Sequence, residues 1–147
     1  MFLLLSQNMR VITQNADLLL VRFDRGEDII SGLADYCQRG GIKSASFTAI
    51  GAAQSIMLAY YNLPGKQYED HEVSENVEIV SVSGNVACMK TEAVIHTHGV
   101  FARQDLSTIG GHIKKLIVSA TCEVTLWKLG GKIERVYDSE TGLNLLS

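Results

Sequence analysis

The sequence predicts an α+β fold, mostly an antiparallel β-sheet with one principal helix at about residues 28–39. Three observations support this prediction. Short segments alternate apolar and polar side chains with the period of two that is typical of strands, as in VEIVSVSG at 77–84 and CEVTLWKL at 122–129. One segment has the helical period instead, and turn residues separate the segments at short intervals. We expect a single domain over residues 10–147, preceded by a short appendage at 1–9.

The helix is the element with the strongest local signals. One apolar stripe recurs with helical spacing at Ile29, Leu33 and Cys37. Asp28 is a suitable N-cap, because its carboxylate can accept a hydrogen bond from a free backbone N–H of the first turn. Arg39 followed by Gly40-Gly41 predicts the end of the helix.

Strands are predicted on both sides of this helix. Before it, residues 9–13 and 18–23 are expected to form a hairpin across a turn at 14–17. After it, strands are expected at 44–50, 55–63, 77–85, 93–102, 119–129 and 132–137. Gly130-Gly131 predicts a two-residue hairpin between the last two strands. The segment GGHIKKLIVS at 110–119 fits either a strand or a helical turn.

Composition limits the classes of function. The 147 residues include 13 basic and 16 acidic side chains, and the formal net charge is −3. This balance lacks the basic footprint of a domain that binds nucleic acid or anionic membranes. No segment approaches the roughly 20 apolar residues of a membrane-spanning helix, and no targeting signal is convincing, so we expect a cytoplasmic protein. Three widely spaced cysteines, Cys37, Cys88 and Cys122, predict free thiols in a reducing compartment.

Three histidines form the strongest functional signal: His96 and His98 in VIHTHGVF, and His112 in TIGGHIKK. Because side chains alternate along a strand, His96 and His98 should share one face while Thr97 points away. His112 can reach the same place if the chain turns back, and the glycine pair at 110–111 would supply the flexible backbone for that turn. Three neutral imidazoles match a divalent metal site, with zinc preferred and a fourth position open.

Other interpretations of these polar residues stay open at the level of sequence. A His-x-His pair on an apolar strand also occurs in ordinary packing. His71, flanked by acidic residues in YEDHEVSE, predicts an exposed loop residue outside the site. Glu123 and Glu78 could each act as a general base beside a metal-bound water, orient a histidine, or simply lie on the polar face of a strand. The pair Lys114-Lys115 predicts solvated surface.

Seven sequence blocks follow one another along the chain: RFDRGEDI (22–29), SASFTAIGA (44–52), VEIVSVSGNV (77–86), HTH (96–98), GGHI (110–113), ATCEV (120–124) and YDSETGLNLL (137–146). Together they resemble the plant and prokaryote conserved (PPC) domain family from about Arg10 to Leu146. The resemblance implies a PPC-like antiparallel α+β fold, a homotrimer, and a metal at His96, His98 and His112. A more distant similarity of fold to acetolactate decarboxylase, which holds zinc with three histidines, is an analogy only.

The resemblance also frames the expected function. Plant members join the domain to an AT-hook with an Arg-Gly-Arg-Pro core, which this sequence lacks, although bacterial members often carry a DNA-binding label. We therefore expect a small trimeric zinc-binding protein with a regulatory or DNA-associated role, in which direct DNA binding is doubtful. The alternative is a metal-dependent enzyme, of the lyase or hydrolase type, acting on a small carbonyl or carboxylate metabolite. No membrane partner is expected.

Overall fold

The computed structural model describes residues 9–147, which contain one helix and nine strands. The helix α1 spans Ile29–Arg39. The strands are β1 Arg10–Gln14, β2 Leu18–Asp24, β3 Ala45–Asn62, β4 Gln67–Val73, β5 Val77–Met89, β6 Glu92–Ala102, β7 Thr108–Lys128, β8 Arg135–Asp138 and β9 Leu143–Leu146. With 66% of residues in antiparallel strands and 8% in the helix, the predicted fold class is confirmed. The proposed appendage at 1–9 lies outside the described residues except for Met9, which packs against the core.

Seven strands form one sheet in the order β1-β2-β7-β6-β5-β3-β4. Strand β3 also pairs with β7, so β3, β5, β6 and β7 close a ring of hydrogen-bonded neighbours. Strand β7 is the shared wall of this arrangement, because it pairs with β2, β3 and β6. The largest fully buried side chains are those of Phe23, Phe47 and Phe101.

The helix matches its prediction and is tied directly to the sheet. Its apolar stripe of Ile29, Leu33 and Cys37 is fully buried. The carboxylate of Asp28 accepts a hydrogen bond from the N–H of Ile30 at 3.1 Å, as an N-cap should. The same carboxylate oxygen accepts a second bond from the N–H of Leu116 in β7 at 3.2 Å. One short acidic side chain thus fixes both the start of α1 and its position on β7.

Two predictions about the middle of the chain were wrong. The strands expected at 44–50 and 55–63 are one continuous strand, β3, whose interruption at 51–54 is absorbed by shifts in its register with β7. The expected loop around His71 is strand β4, which lies at the edge of the sheet and pairs with the end of β3. Most β4 side chains are exposed on both faces, so the strand has no apolar alternation to reveal it.

The predicted hairpin at Gly130-Gly131 was also wrong. The ambiguous segment at 110–119 and the expected strand at 119–129 both belong to the 21-residue β7. Beyond β7 the chain crosses to β5, where the N–H of Cys88 donates to the carbonyl of Ile133 at 2.7 Å. The hydroxyl of Ser44 bonds to the carbonyl of Gly131 at 2.9 Å and holds the crossing in place. Strand β8 then pairs with β9 and not with β7.

The three cysteines are free thiols, as the sequence predicts. Cys37, Cys88 and Cys122 are all buried and free. Burial raises the pKa of Cys37 to about 11 and that of Cys122 to about 12, so both stay protonated near neutral pH. Within residues 9–147, no helix is long and apolar enough to cross a membrane.

Candidate metal centre

Strands β6 and β7 bring the three histidines together. His98 and His112 are direct partners across the two strands, and His96 lies two residues before His98 on the same face. Thr97 points to the opposite side, where it is 1% exposed and its hydroxyl donates to the carbonyl of Ser83 at 2.8 Å. We call His96, His98 and His112 the histidine cluster. The structure assembles it as strand alternation predicts, whereas metal ligation itself stays a prediction.

The turn that returns the chain to the cluster lies elsewhere than predicted. It covers residues 103–107, where the N–H of Leu106 donates to the carbonyl of Arg103 at 2.9 Å. Leu106 itself adopts a left-handed φ of 66°. Gly110 lies inside β7, and a Cβ at this position would come within 2.5 Å of the carbonyl oxygen of Gly99. Its role is therefore to let β6 and β7 approach closely beside the histidines.

The geometry of the cluster fits a metal ion. One ring nitrogen of each histidine lies within 4.8 Å of the other two, and the Nε2 atoms of His96 and His98 are 3.3 Å apart. Tetrahedral zinc, with Zn–N distances of 2.0–2.1 Å, separates its nitrogen ligands by about 3.3 Å. The Nδ1 atom of His112 is buried without a hydrogen-bond partner in the described part of the chain. These residues could therefore hold a metal ion.

Electrostatics keep two of the imidazoles neutral. Burial lowers the pKa of His112 to about 4, helped by the other two imidazoles and Lys114, while Asp70 acts in the opposite direction. Burial also lowers the pKa of His96, followed by the charge of Arg135 and the neighbouring imidazole. Because only a neutral imidazole has a lone pair to offer, these shifts favour ligation at neutral pH.

One side of the cluster is formed by residues that sequence reasoning missed or underrated. Tyr68 of β4 stacks on His112, with ring centroids 4.6 Å apart and an angle of 29° between the planes. Lys114 is exposed, as predicted, but its ammonium lies 5.1 Å from the Tyr68 ring centroid and pairs with Asp70 at 2.6 Å. The position of Lys114, two residues after His112 in a strand, could have indicated this neighbourhood. Tyr68 gave no such signal, because β4 itself was not predicted.

A cleft of about 270 Å³ opens beside the cluster. We call it the histidine cleft. Arg135, at the start of β8, lines it together with His96, His112 and Tyr68. The rest of its lining is mostly apolar: Met89, Val94, Ile95, Leu143 and Leu145. The C-terminal hairpin β8–β9 thus forms part of the wall of the cleft. Sequence analysis did not predict this, because it paired the residues of β8 with β7 through a hairpin at Gly130-Gly131.

The remaining candidates lie away from this cleft. Glu78 and Glu123 are exposed, and both line a separate shallow recess with Ile50 and Val80, which we call the carboxylate recess. Neither carboxylate lines the histidine cleft, so their position does not support a general-base role beside the cluster. His71 is exposed on β4 and is not a member of the cluster.

Known proteins share both the sequence pattern and the fold. The Plants and Prokaryotes Conserved (PCC) domain profile matches residues 12–130. A protein from Bacteroides thetaiotaomicron, provisionally described as DNA-binding, is 27% identical with a TM-score of 0.90, over 95% of this chain and 96% of that one. A metal-containing protein from Archaeoglobus fulgidus is 31% identical with a TM-score of 0.84, over 95% of this chain and 97% of that one. No curated protein matches this chain.

Acetolactate decarboxylase from Bacillus subtilis shares the fold alone. It is 12% identical with a TM-score of 0.55, over 86% of this chain and 58% of that one. The expected similarity to that enzyme is thus confirmed at the level of fold, which carries no activity with it. The domain profile, by contrast, covers most of the chain and includes six of the seven sequence blocks, all except the one at 137–146. The chain therefore belongs to the Plants and Prokaryotes Conserved domain family, the PPC family that those blocks resemble.

Proposed function

We propose that this chain is a metal-binding member of the family, in which His96, His98 and His112 hold one zinc ion. The observation that carries the proposal is the convergence of three imidazole nitrogens within 4.8 Å. Three nitrogen ligands suit zinc and leave a fourth position open for water or a small molecule. The archaeal relative, which is 31% identical, is described as metal-containing.

A cluster held together only by hydrogen bonds is the competing explanation. The 3.3 Å separation of His96 Nε2 and His98 Nε2 is also compatible with one N–H···N bond. That bond would leave Nδ1 of His112 buried and unpaired, which costs about 1–3 kcal/mol. A shared metal ion would give the imidazole of His112 a binding partner. Metal ligation is therefore the better explanation of the cluster.

We also propose that the metal-binding unit is a homotrimer, as membership of the family implies. Two large apolar side chains of the carboxylate recess, Ile50 and Val80, expose 56% and 50% of their surface. Contiguous exposed apolar surface supports association between chains. Light scattering should give about 48 kDa, three times the 16.1 kDa of one chain. A monomer at micromolar concentration would refute the trimer.

The biological role that we propose is regulatory and DNA-associated through a partner protein, in the cytoplasm. The Bacteroides relative, provisionally described as DNA-binding, supports the association. The net charge of −3 argues against direct binding, because phosphate neutralisation dominates affinity for DNA. A gel-shift assay at 0.15 M salt with competitor DNA should therefore show no specific complex. Tight, sequence-dependent binding of the isolated protein would overturn this part of the proposal.

A metal-dependent enzyme is the second candidate, and the histidine cleft is the observation that favours it. His96 and His112 both line this cleft, so a small molecule bound there would lie beside two of the three imidazoles. A zinc ion there would polarise a carbonyl or carboxylate oxygen, as a lyase or hydrolase requires. This function stands behind metal binding because the general-base candidates, Glu78 and Glu123, do not line the histidine cleft.

Metal analysis tests the main proposal directly. Protein purified without chelator, then incubated with zinc and dialysed, should retain about one zinc ion per chain by elemental mass spectrometry. His71→Ala is the matched control, because it removes an exposed histidine outside the cluster. Retention of less than a tenth of an equivalent by the unmodified protein would refute the metal site.

A further inference from the structure

We propose that Arg135 makes the histidine cleft a binding site for a small aliphatic carboxylate, which the guanidinium holds beside the metal position. The inference rests on the proposed metal site, because His96 and His112 line the same cleft. It adds the charge and the shape of the ligand. Four features of the described residues support it: an uncompensated cation, its fixed position, an aromatic wall and an apolar wall.

The guanidinium of Arg135 lacks a counter-charge. None of the ion pairs formed within residues 9–147 involves it. It donates instead to two uncharged acceptors, the side-chain oxygen of Asn85 at 2.7 Å and the carbonyl of Asn144 at 3.0 Å. Its Nε is buried and has no hydrogen-bond partner among residues 9–147. A partly buried cation in this state is costly, and an anionic ligand would offset the cost.

The position of the guanidinium is set by the sheet. Asn85, which accepts the 2.7 Å bond, is the direct strand partner of His96 across β5 and β6. The positive group is therefore anchored next to the histidine cluster rather than at the tip of a free side chain. A ligand oxygen bound at the metal position would thus have a guanidinium nearby.

Tyr68 adds an aromatic wall to the histidine cleft. Its ring stacks on His112, so it fixes the orientation of that imidazole and borders the histidine cleft. Tyr68 and Arg135 both line this cleft. A phenol and a guanidinium together offer hydrogen-bond donors to one oxyanion.

The apolar wall selects among oxyanions. Met89, Val94, Ile95, Leu143 and Leu145 line the part of the cleft beyond the charged groups. Inorganic phosphate has nothing to place against such a wall, whereas a short aliphatic acid has. The volume of about 270 Å³ lies just below the usual range for ligand clefts, roughly 300–1,000 Å³, so the ligand should be small.

Calorimetric titration with 2-oxobutanoate as the probe tests the inference. It offers a carboxylate, a carbonyl oxygen for the metal and a short aliphatic chain. Arg135→Gln in zinc-loaded protein should weaken binding at least about tenfold, the loss expected for a hydrogen bond to a charged group. Arg39→Gln is the matched control, because Arg39 is an exposed arginine on α1 paired with Asp35. It should leave the affinity unchanged.

Each of the other possible results of the titration would contradict one part of the inference. Absence of binding to the zinc-loaded protein, or equal affinity in Arg135→Gln, would overturn the carboxylate site. Phosphate binding as tightly as 2-oxobutanoate would overturn the assignment of an aliphatic ligand. Because Arg135 also supports the hairpin, the Nε–H resonance of Arg135 in the unmodified protein is a second measurement. It should shift on addition of 2-oxobutanoate, and an unchanged resonance would overturn the site.

Zinc content, measured on each sample, separates this inference from the proposed function. A protein without zinc refutes the metal site and the inference that rests on it. A protein with one zinc ion per chain and unchanged affinity in Arg135→Gln refutes the carboxylate site alone.

Discussion

The histidine cluster and the carboxylate recess both place polar side chains on otherwise apolar strands, yet they differ in kind. The three histidines lie on two adjacent strands, where His98 pairs with His112. His96 and His112 are partly enclosed by Tyr68 and the C-terminal hairpin, whereas His98 is exposed. Glu78 and Glu123 come from β5 and β7, and both remain exposed in a shallow recess. A polar residue in a strand therefore becomes a candidate site when strand register gives it chemical partners and partial enclosure.

Removal of single side chains should show the largest contrast between the two regions. Loss of an outer partner of a metal ligand typically costs 10–100-fold in affinity, so loss of a ligand should cost at least about 100-fold. We expect His96→Ala, His98→Ala and His112→Ala each to lose nearly all bound zinc, while Glu78→Gln and Glu123→Gln retain it. Zinc-to-protein stoichiometry after dialysis is the measurement. Full retention in His98→Ala would show that the cluster is structural.

A backbone substitution should sharpen the comparison, because it tests the close approach of β6 and β7. A Cβ in Gly110→Ala would meet the backbone oxygen of Gly99 at 2.5 Å. We expect a loss of about 3 kcal/mol in the free energy of unfolding, at the upper end for overpacking because backbone cannot move aside easily. Zinc affinity should fall as well.

The matched control for this backbone test is Gly130→Ala. Nothing lies within 4 Å of a Cβ built there, so the change should stay within about 0.5 kcal/mol. Urea denaturation at fixed protein concentration measures both variants. Equal stability of the two would show that close packing beside the histidines is not required.

A substitution on the opposite face of β6 should change the stability of the protein and leave metal binding unchanged. Thr97→Val keeps the shape of the buried side chain but removes its hydrogen bond to the carbonyl of Ser83. We expect a loss of about 1 kcal/mol in the free energy of unfolding, with zinc stoichiometry unchanged. A variant that folds normally but loses its zinc would show that the two faces of the strand are coupled.

The last expected effect is a dependence of stability on pH in metal-free protein. The pKa of His112 is lowered from 6.5 to about 4 in the folded state, and that of His96 is lowered too. As pH falls from about 6.5 towards 4, the unfolded chain therefore binds more protons than the folded one, and the free energy of unfolding decreases. Denaturation in the presence of chelator should show this slope.

Two variants test whether His112 causes this dependence of stability on pH. His112→Gln removes the more strongly shifted group and should flatten the slope. Thr97→Val neither adds nor removes a titratable side chain, so it should keep the slope of the unmodified protein. Stability that increases towards pH 4, or an unchanged slope in His112→Gln, would contradict the assignment.

Features encoded by neighbouring residues were predictable from sequence. The helix from 29 to 39 follows from a local period and from the capping carboxylate of Asp28. The shared face of His96 and His98 follows from strand alternation alone. The position of His112 opposite His98 required only that the chain return, although the turn at 103–107 was misplaced onto the glycine pair at 110–111.

Features created by distant contacts were not predictable in the same way. Strand β4 is recognisable only from its pairing with the end of β3, because its own side chains are mostly exposed and polar. Arg135 reaches the histidine cleft through Asn85, a contact fifty residues away in sequence. The path of the chain after β7 depends on Ser44, whose hydroxyl donates hydrogen bonds to backbone carbonyls of that segment. No local period encodes such partnerships.

The placement of all three histidines on β6 and β7, two strands joined by a short turn, has a consequence for folding kinetics. Pairing of His98 with His112 closes a short loop and costs little chain entropy, so it can occur early. Pairing of Leu18 with Trp127 joins residues near opposite ends of the described chain and must wait for a much larger closure. The metal-binding hairpin can therefore form before β2 docks on β7, and a captured ion would bias the chain towards the correct register while the remaining strands are still searching for their partners.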